Sequence, residues 1–385
     1  MKKILILSVS VVSILLAIEL NGYIFPGKES IQVPVEDSLV TVKFACVGDM
    51  MCHSPQFEYA RVTGDSFNFV PVFREVRKYF EGADIVFGNF ETVLGGNKNK
   101  YSGYPFFNSP DDFARSLDSV GFNYLNTANN HSLDQKEKGL LRTIEVINNL
   151  GINYFGTFSD NKDRDSIRIF EKEGMRIALL GYSYGTNGLP VPNGKDYLIN
   201  LIRPDLIKSD IARAKKLNPD LVITYFHFGN EYEKTANSSQ REIVKTVLDA
   251  GGDIIIASHP HVLQPIEIFS RPGSKLDTGF VAYSLGNFVS NQQWRYSDAG
   301  VILNFELEKN KFTDRIKLKN LSCVPTYVFK GTIDGKKEYL ILPSGNYADT
   351  TYTFLSSGLR EKVKEAFVDS KEILTKSVNI SINPD

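Results

Sequence analysis

Five histidines occur in the chain, and each sits in a short polar cluster directly after an apolar run. Val47 leads into Gly48-Asp49-Met50-Met51-Cys52-His53, Gly88 into Asn89-Phe90-Glu91, and Ala128 into Asn129-Asn130-His131-Ser132-Leu133-Asp134. Phe226 leads into His227-Phe228-Gly229-Asn230-Glu231, Ala257 into Ser258-His259-Pro260-His261, and Ser284 into Leu285-Gly286-Asn287-Phe288. Imidazoles, carboxylates and amides without thiolates make a mixed nitrogen and oxygen donor set. Such a set suits divalent zinc, manganese, iron or cobalt better than calcium or a purely structural zinc.

Individual residues have alternative roles. The i, i+2 spacing of His259 and His261 puts both rings on one side of an extended segment, where they could ligate one metal or two adjacent ones; the alternative is a polar turn. His227 is a ligand or a hydrogen-bonded core residue. Asp49 supplies charge to a metal or caps the next helix, and Glu91 is a ligand or a salt-bridge partner. His131, beside Asn130, could protonate a leaving group as general acid, or it could orient Asp134. His53, four residues after Asp49, fits either a ligand or a supporting role. Glu231 could orient the imidazoles from behind, and Asn287 reads as fixing a tight turn.

These clusters must be carried by regular elements. Strands are expected at Val40–Val47, Asp84–Gly88, Tyr124–Ala128, Arg176–Gly181, Leu221–Phe226, Asp253–Ala257 and Phe280–Ser284, all nearly continuously apolar, as for strands covered on both faces. Only Arg176–Gly181 is not followed at once by a polar cluster. Helices are expected from Ser109-Pro110-Asp111-Asp112 to Gly121, from Asp134 to Leu150, from Pro204 to Leu217 and from Ser238 to Ala250. The alternation predicts an α/β domain over residues 41–305 with a largely parallel sheet at its centre. In such a sheet ligands bind beyond the carboxyl ends of the strands, where the polar clusters fall. Residues 306–385 read as a β/α appendage packed on the same domain, with strands near Ile316–Leu321 and Tyr339–Leu342 and a charged helix near Ser357–Ala366.

The 44 basic and 45 acidic side chains leave a net charge of -1, which provides no field for collecting nucleic acid. Substrate capture must then rely on local sites. Cys46, Cys52 and Cys323 have no metal-ribbon or disulfide-framework spacing. The N-terminus, Met1-Lys2-Lys3 followed by fifteen mostly apolar residues, has the pattern of a signal peptide or signal anchor over residues 1–20, with a linker over 21–40. Without a clear cleavage site the balance favours an uncleaved anchor, with residues 4–20 in the cytoplasmic membrane and the remainder outside; secretion after cleavage is the alternative.

The series Gly48–His53, Gly88–Glu91, Ala128–Asp134, His227–Tyr232, Ser258–Gln264 and Ser284–Phe288 resembles the bacterial capsule synthesis proteins of the CapA or PgsA type, distant relatives of the calcineurin-like metallophosphoesterases. The resemblance spans roughly Thr41 to Leu303. It implies a four-layer α/β/β/α sandwich with a site for one or two divalent ions (manganese, zinc or iron) held by Asp49, Glu91, Asn130, His227, His259 and His261. His131 would then be the proton donor, with Asp134 beside it, and Asn89 belongs to the same motif set. Where those phosphoesterases carry Asp-x-His, this chain has Met51, so one ligand is missing or is supplied by His53. The implied role is synthesis, transport or anchoring of an anionic capsular polymer such as poly-gamma-glutamate, within a capsule synthesis complex. The alternatives are a secreted phosphoesterase acting on a phosphate-containing substrate and a non-catalytic assembly scaffold.

Overall fold

The computed structural model describes residues 38–376 and 380–383. The segments read as signal or anchor and as most of the linker lie outside the described residues. From Val40 onward the chain forms one unit. Among the described residues no helix is long and apolar enough to cross a membrane.

The first strand, β1 (Leu39–Met50), is longer than expected and runs directly into the first polar cluster. A short helix, α1 (Ser54–Ala60), and a small ribbon, β2 (Arg61–Thr63) with β3 (Ser66–Phe67), precede β4 (Ile85–Phe90). Helix α2 (Asp111–Val120) has Pro110 at its N-cap, the Ser109 hydroxyl lying 2.6 Å from that of Thr92 instead of capping the helix, and it ends at Gly121, whose φ of 114° suits glycine in a left-handed C-cap. Then come β5 (Tyr124–Asn126), α3 (Lys136–Asn149) and β6 (Asn153–Phe155). After a short helix, α4 (Asn161–Asp165), the hairpin β7 (Arg168–Lys172) and β8 (Met175–Ser183) leads to α5 (Pro204–Lys215), β9 (Leu221–His227), α6 (Ser238–Ala250) and β10 (Ile254–Ser258). The remaining elements are β11 (Leu263–Ser270), β12 (Thr278–Leu285), β13 (Asn287–Val289), β14 (Ala299–Asn310), β15 (Ile316–Ile333), β16 (Lys336–Pro343), α7 (Ser357–Thr375) and β17 (Ser381–Ile382).

These strands build two principal sheets rather than one. The larger has the order β16-β15-β14-β1-β4-β5-β6, with β13 added on β1 and β17 on β15; the other has the order β11-β12-β10-β9-β8-β7. In the second, the centre is parallel (β8 with β9, β9 with β10, β10 with β12) and both edges, β7 and β11, are antiparallel. Alternate side chains explain the doubling. Phe44 and Cys46 of β1 share one buried cluster with Ile177, Ile223 and Ile254 of the other sheet, whereas Ala45 and Val47 face Phe113, Leu117 and Ile144 of α2 and α3. Ala178, Val222 and Ile255 face α5 and α6. The result is the α/β/β/α sandwich. A strand covered by a helix and a sheet is as continuously apolar as one covered by two helices, which is why the pattern alone indicated one central sheet.

The C-terminal segment adds strands to the larger sheet. β14 crosses residue 305, and β15 and β16 continue beside it in antiparallel pairing. Helix α7, nine residues longer than the expected Ser357–Ala366, covers them with Val363 and Ala366.

Candidate metal centre

The clusters meet at the carboxyl ends of β1, β4, β9 and β10. Asp49 aligns with Asn89 across β1 and β4 and with Asn287 across β1 and β13. Gly48 makes this possible: a Cβ there would lie 2.0 Å from the Gly286 carbonyl oxygen, and the Asp49 amide donates to that same oxygen at 2.9 Å. On the facing sheet, β9 delivers His227, which pairs in register with Ser258 of β10.

Asp49 is fully buried. Its Oδ1 accepts from Asn89 Nδ2 at 2.8 Å, and its Oδ2 from the His259 backbone amide at 3.2 Å and His261 Nδ1 at 3.1 Å. Asn89 is an orienting residue at the centre of this web. Its amide also donates to His227 Nδ1 at 3.0 Å, and its Oδ1 accepts from Asn126 at 2.9 Å and Asn129 at 3.3 Å. His227 Nε2 in turn donates to Asn130 Oδ1 at 2.8 Å and lies 3.5 Å from Glu91 Oε1. His261 Nε2 is 3.9 Å from that same oxygen.

Three groups each bring one ligand atom per residue within 4.8 Å of one another: Glu91 with His227 and His259; Asp49 with Glu91 and His261; and Glu231 with His259 and His261. Shared members make these adjacent positions, which fits one ion or two. Two observations test the fit. Glu91 Oε1 and His259 Nδ1 are buried without a hydrogen-bond partner, a costly arrangement that a cation would relieve. The electrostatics agree. Burial, then the negative field of Asp49, pushes the Glu91 carboxyl well above its usual range. Burial also pushes His259 down to about 3 and His227 well below its ordinary value, keeping both rings in the neutral form a metal needs. Asp49 goes the other way: burial raises it, but the hydrogen bond and field of His261 hold the carboxylate below its usual range.

Three expectations are modified. His259 and His261 do not share a side of an extended segment. Strand β10 ends at Ser258, and both histidines have left-handed backbones, φ 105° and 57°; they reach the centre through a strained turn of the kind found at functional sites. Asn287 does more than fix a turn, because Gly286 carries the positive φ of 67° while Asn287 Oδ1 accepts from His261 Nδ1 at 3.1 Å. His53 belongs to none of the three groups. It sits at the N-cap of α1, accepts from the Asn291 amide at 3.3 Å and packs edge-on to Phe107 at 5.1 Å, so it adds no ligand atom to these groups.

His131 stands at the edge of the cluster. Its Nδ1 donates to Asp134 Oδ2 at 2.7 Å, and that oxygen also accepts from the Phe107 amide at 2.7 Å. The ring rests edge-on against Phe107 at 4.7 Å. This locks one nitrogen and leaves Nε2 facing Asn187 Nδ2 at 3.5 Å. Asn187 Oδ1 accepts from Asn130 Nδ2 at 3.0 Å, and Tyr184 lies 4.4 Å from His259. The sequence reading missed both residues. They come from the loop after β8, the one strand without an immediate polar cluster; its signal was Gly-Thr-Asn-Gly, where Asn187 takes φ 51°.

A four-layer sandwich with a histidine and carboxylate cluster at its strand ends defines the architecture of a metallophosphatase-like protein. The family model described as bacterial capsule synthesis protein PGA_cap matches residues 43–292, and the chain belongs to that family. It is 31% identical over 271 residues to the capsule biosynthesis protein CapA of Bacillus anthracis, covering 69% of this chain and 63% of that protein. To the PGA biosynthesis protein CapA of Bacillus subtilis it is 29% identical over 286 residues, covering 71% and 69%. The chain thus spans under two thirds of the length of the first relative. Among solved structures, the calcineurin-like phosphoesterase YfkN of Bacillus subtilis is similar with a TM-score of 0.41 at 13% identity, covering 87% of this chain and 97% of that one.

Proposed function

We propose that this capsule synthesis family member is a metal-dependent hydrolase acting outside the cytoplasmic membrane on an anionic capsular polymer. In this reading residues 4–20 tether it beside other components of a capsule synthesis complex. The observation that carries the reading is the buried Glu91 Oε1, which has no hydrogen-bond partner and lies 3.5 Å and 3.9 Å from the Nε2 atoms of His227 and His261, a position that a cation would satisfy.

Asp49, Glu91, Asn130, His227, His259 and His261 would hold one or two divalent ions of manganese, zinc or iron, and Glu231 adds a carboxylate at the lip. Such an ion polarises a phosphoryl or carbonyl oxygen and makes water acidic enough to act as a nucleophile near neutral pH. The protein's own contribution is orientation. Asn89 and Asn287 hold Asp49 and His261, while Asp134 and Phe107 fix the His131 ring. With Nδ1–H committed to Asp134, Nε2 is the nitrogen of His131 free to exchange a proton, and the ring would serve as general acid to a departing oxygen only in its doubly protonated form.

Hydrolysis of a generic phosphodiester by metal-loaded protein tests the reading. His131→Ala should lower kcat by about 10²–10⁴-fold with metal content unchanged. Absence of both bound metal and turnover would leave a non-catalytic scaffold, and turnover surviving loss of both His259 and His261 would contradict the metal mechanism.

A further inference from the structure

Between helix α1 and the β15–β16 hairpin runs a cleft of about 580 Å³ whose walls include Tyr59, Lys337 and Tyr339. Strand pairing sets Lys330 of β15 opposite Tyr339 of β16, and Thr332 opposite Lys337. Lys330, Tyr339 and Lys337 therefore share one face of the hairpin, with the two lysines about 7 Å apart along it. Both ammonium groups lie against the same ring: Lys330 Nζ is 5.8 Å and Lys337 Nζ 5.5 Å from the centre of Tyr59. Among the described residues no carboxylate lies within ion-pair distance of either lysine. The acids of the cleft, Glu58 and Glu338, are instead held by Arg61 at 2.9 Å and Arg74 at 2.8 Å.

Lys330 ties this cleft to the edge of the histidine cluster. Its half-buried side chain lies 5.6 Å from the Tyr339 ring and donates to Asn291 Oδ1 at 2.9 Å; the Tyr339 hydroxyl donates to that same oxygen. The Asn291 amide donates to His53 Nδ1, and the His53 ring meets the Phe107 ring that also braces His131. The electrostatics match this placement: burial lowers His53 to about 4, and the positive fields of His261, His131 and Lys330 act in the same direction. A ring face and a neutral amide orient an ammonium group without cancelling its charge, so Lys330 and Lys337 remain available to an anion. Arg61 is already bidentate on Glu58 at 2.9 and 3.1 Å, so the guanidinium fork that suits phosphate is taken. The cleft offers single ammonium charges, each matched by one carboxylate.

We propose that this cleft is the docking track for the anionic chain whose reacting bond lies at the metal centre, with Lys330 pairing the carboxylate nearest the centre and Lys337 a carboxylate further along. The place of the reacting bond rests on the hydrolase reading above; the pairing at the two lysines does not.

The full chain, metal-loaded and metal-free, is titrated calorimetrically with a γ-glutamyl hexamer, with its counterpart in which every carboxylate is amidated, and with linear hexaphosphate. The γ-glutamyl hexamer should bind more tightly than either of the others. Lys330→Met should weaken its binding by about 10-fold, the size of one half-buried charge-assisted hydrogen bond, and Lys337→Met, at an exposed position, by about 2–5-fold. Metal content should stay at the wild-type value in both variants. Equal affinity for the acidic and amidated hexamers, tighter binding of hexaphosphate, or unchanged affinity in both variants would overturn the proposal. Lysine-dependent binding in a protein that takes up no metal would keep the track and sink only the hydrolase reading; metal uptake and turnover beside lysine-independent binding would do the reverse.

Discussion

The two ends of the strands bury carboxylates in opposite ways. At the amino ends, Asp220 just before β9 receives Lys275 at 2.6 Å, Lys309 at 2.8 Å and the Arg176 amide at 2.9 Å. Burial raises its pKa, but the two ammonium groups more than offset this and hold it below the usual range. At the carboxyl ends, Asp49 and Glu91 are fully buried among imidazoles, and Glu91 keeps an oxygen with no hydrogen-bond partner. The same chain thus satisfies one buried acid completely with its own cations and leaves another open. The difference marks the second end as the candidate cation site.

Exchanging each acid for its amide gives the widest separation. Asp220→Asn should destabilise the fold by about 1–2 kcal/mol, because Lys309 and Lys275 each lose one carboxylate partner and keep Asp314, and should leave metal uptake unchanged. Glu91→Gln should abolish metal uptake while leaving the metal-free protein as stable or more so. Denaturant unfolding with elemental analysis checks both, and a variant that moved both quantities would break the comparison. The pH dependence has a definite sign. The depressed pKa of Asp220 adds stability above its unfolded value near 3.9, and this is lost as pH falls through the lower folded value. Urea midpoints below pH 4 should therefore fall more steeply for the wild type than for Asp220→Asn.

A smaller effect is expected at Asn89, which orients Asp49 and His227 without belonging to a ligand group. Asn89→Ala should weaken metal affinity by about 10–100-fold, measured by competition with a chelating dye. Smallest is Lys275→Met. Its side chain is 39% exposed and Lys309 remains on Asp220, so the loss should stay below about 1 kcal/mol.

Much of this asymmetry was legible in the residues. A histidine or acid directly after an apolar run must emerge at a strand's carboxyl end, which placed Asp49, Glu91, His227, His259 and His261 together without knowledge of the sheet order. What could not be read were contributions that depend on packing between layers. Tyr184 and Asn187 lie in a segment, Tyr184–Gly188, with no histidine or carboxylate, and reach the site only because β8 pairs with β9. The apolar pattern alone did not separate the second sheet, which the motif resemblance implied, because a face covered by a sheet and one covered by a helix demand the same apolar residues. The left-handed backbones at His259 and His261 likewise come from tertiary contacts that override the ordinary preference of a histidine.

Calorimetric titration of metal-free protein with manganese tests the central claim most directly. The open carboxyl-end cluster predicts saturable binding of one or two ions per chain, abolished by Glu91→Gln and untouched by Asp220→Asn. No binding to the wild type, or equal binding to wild type and Glu91→Gln, would contradict it.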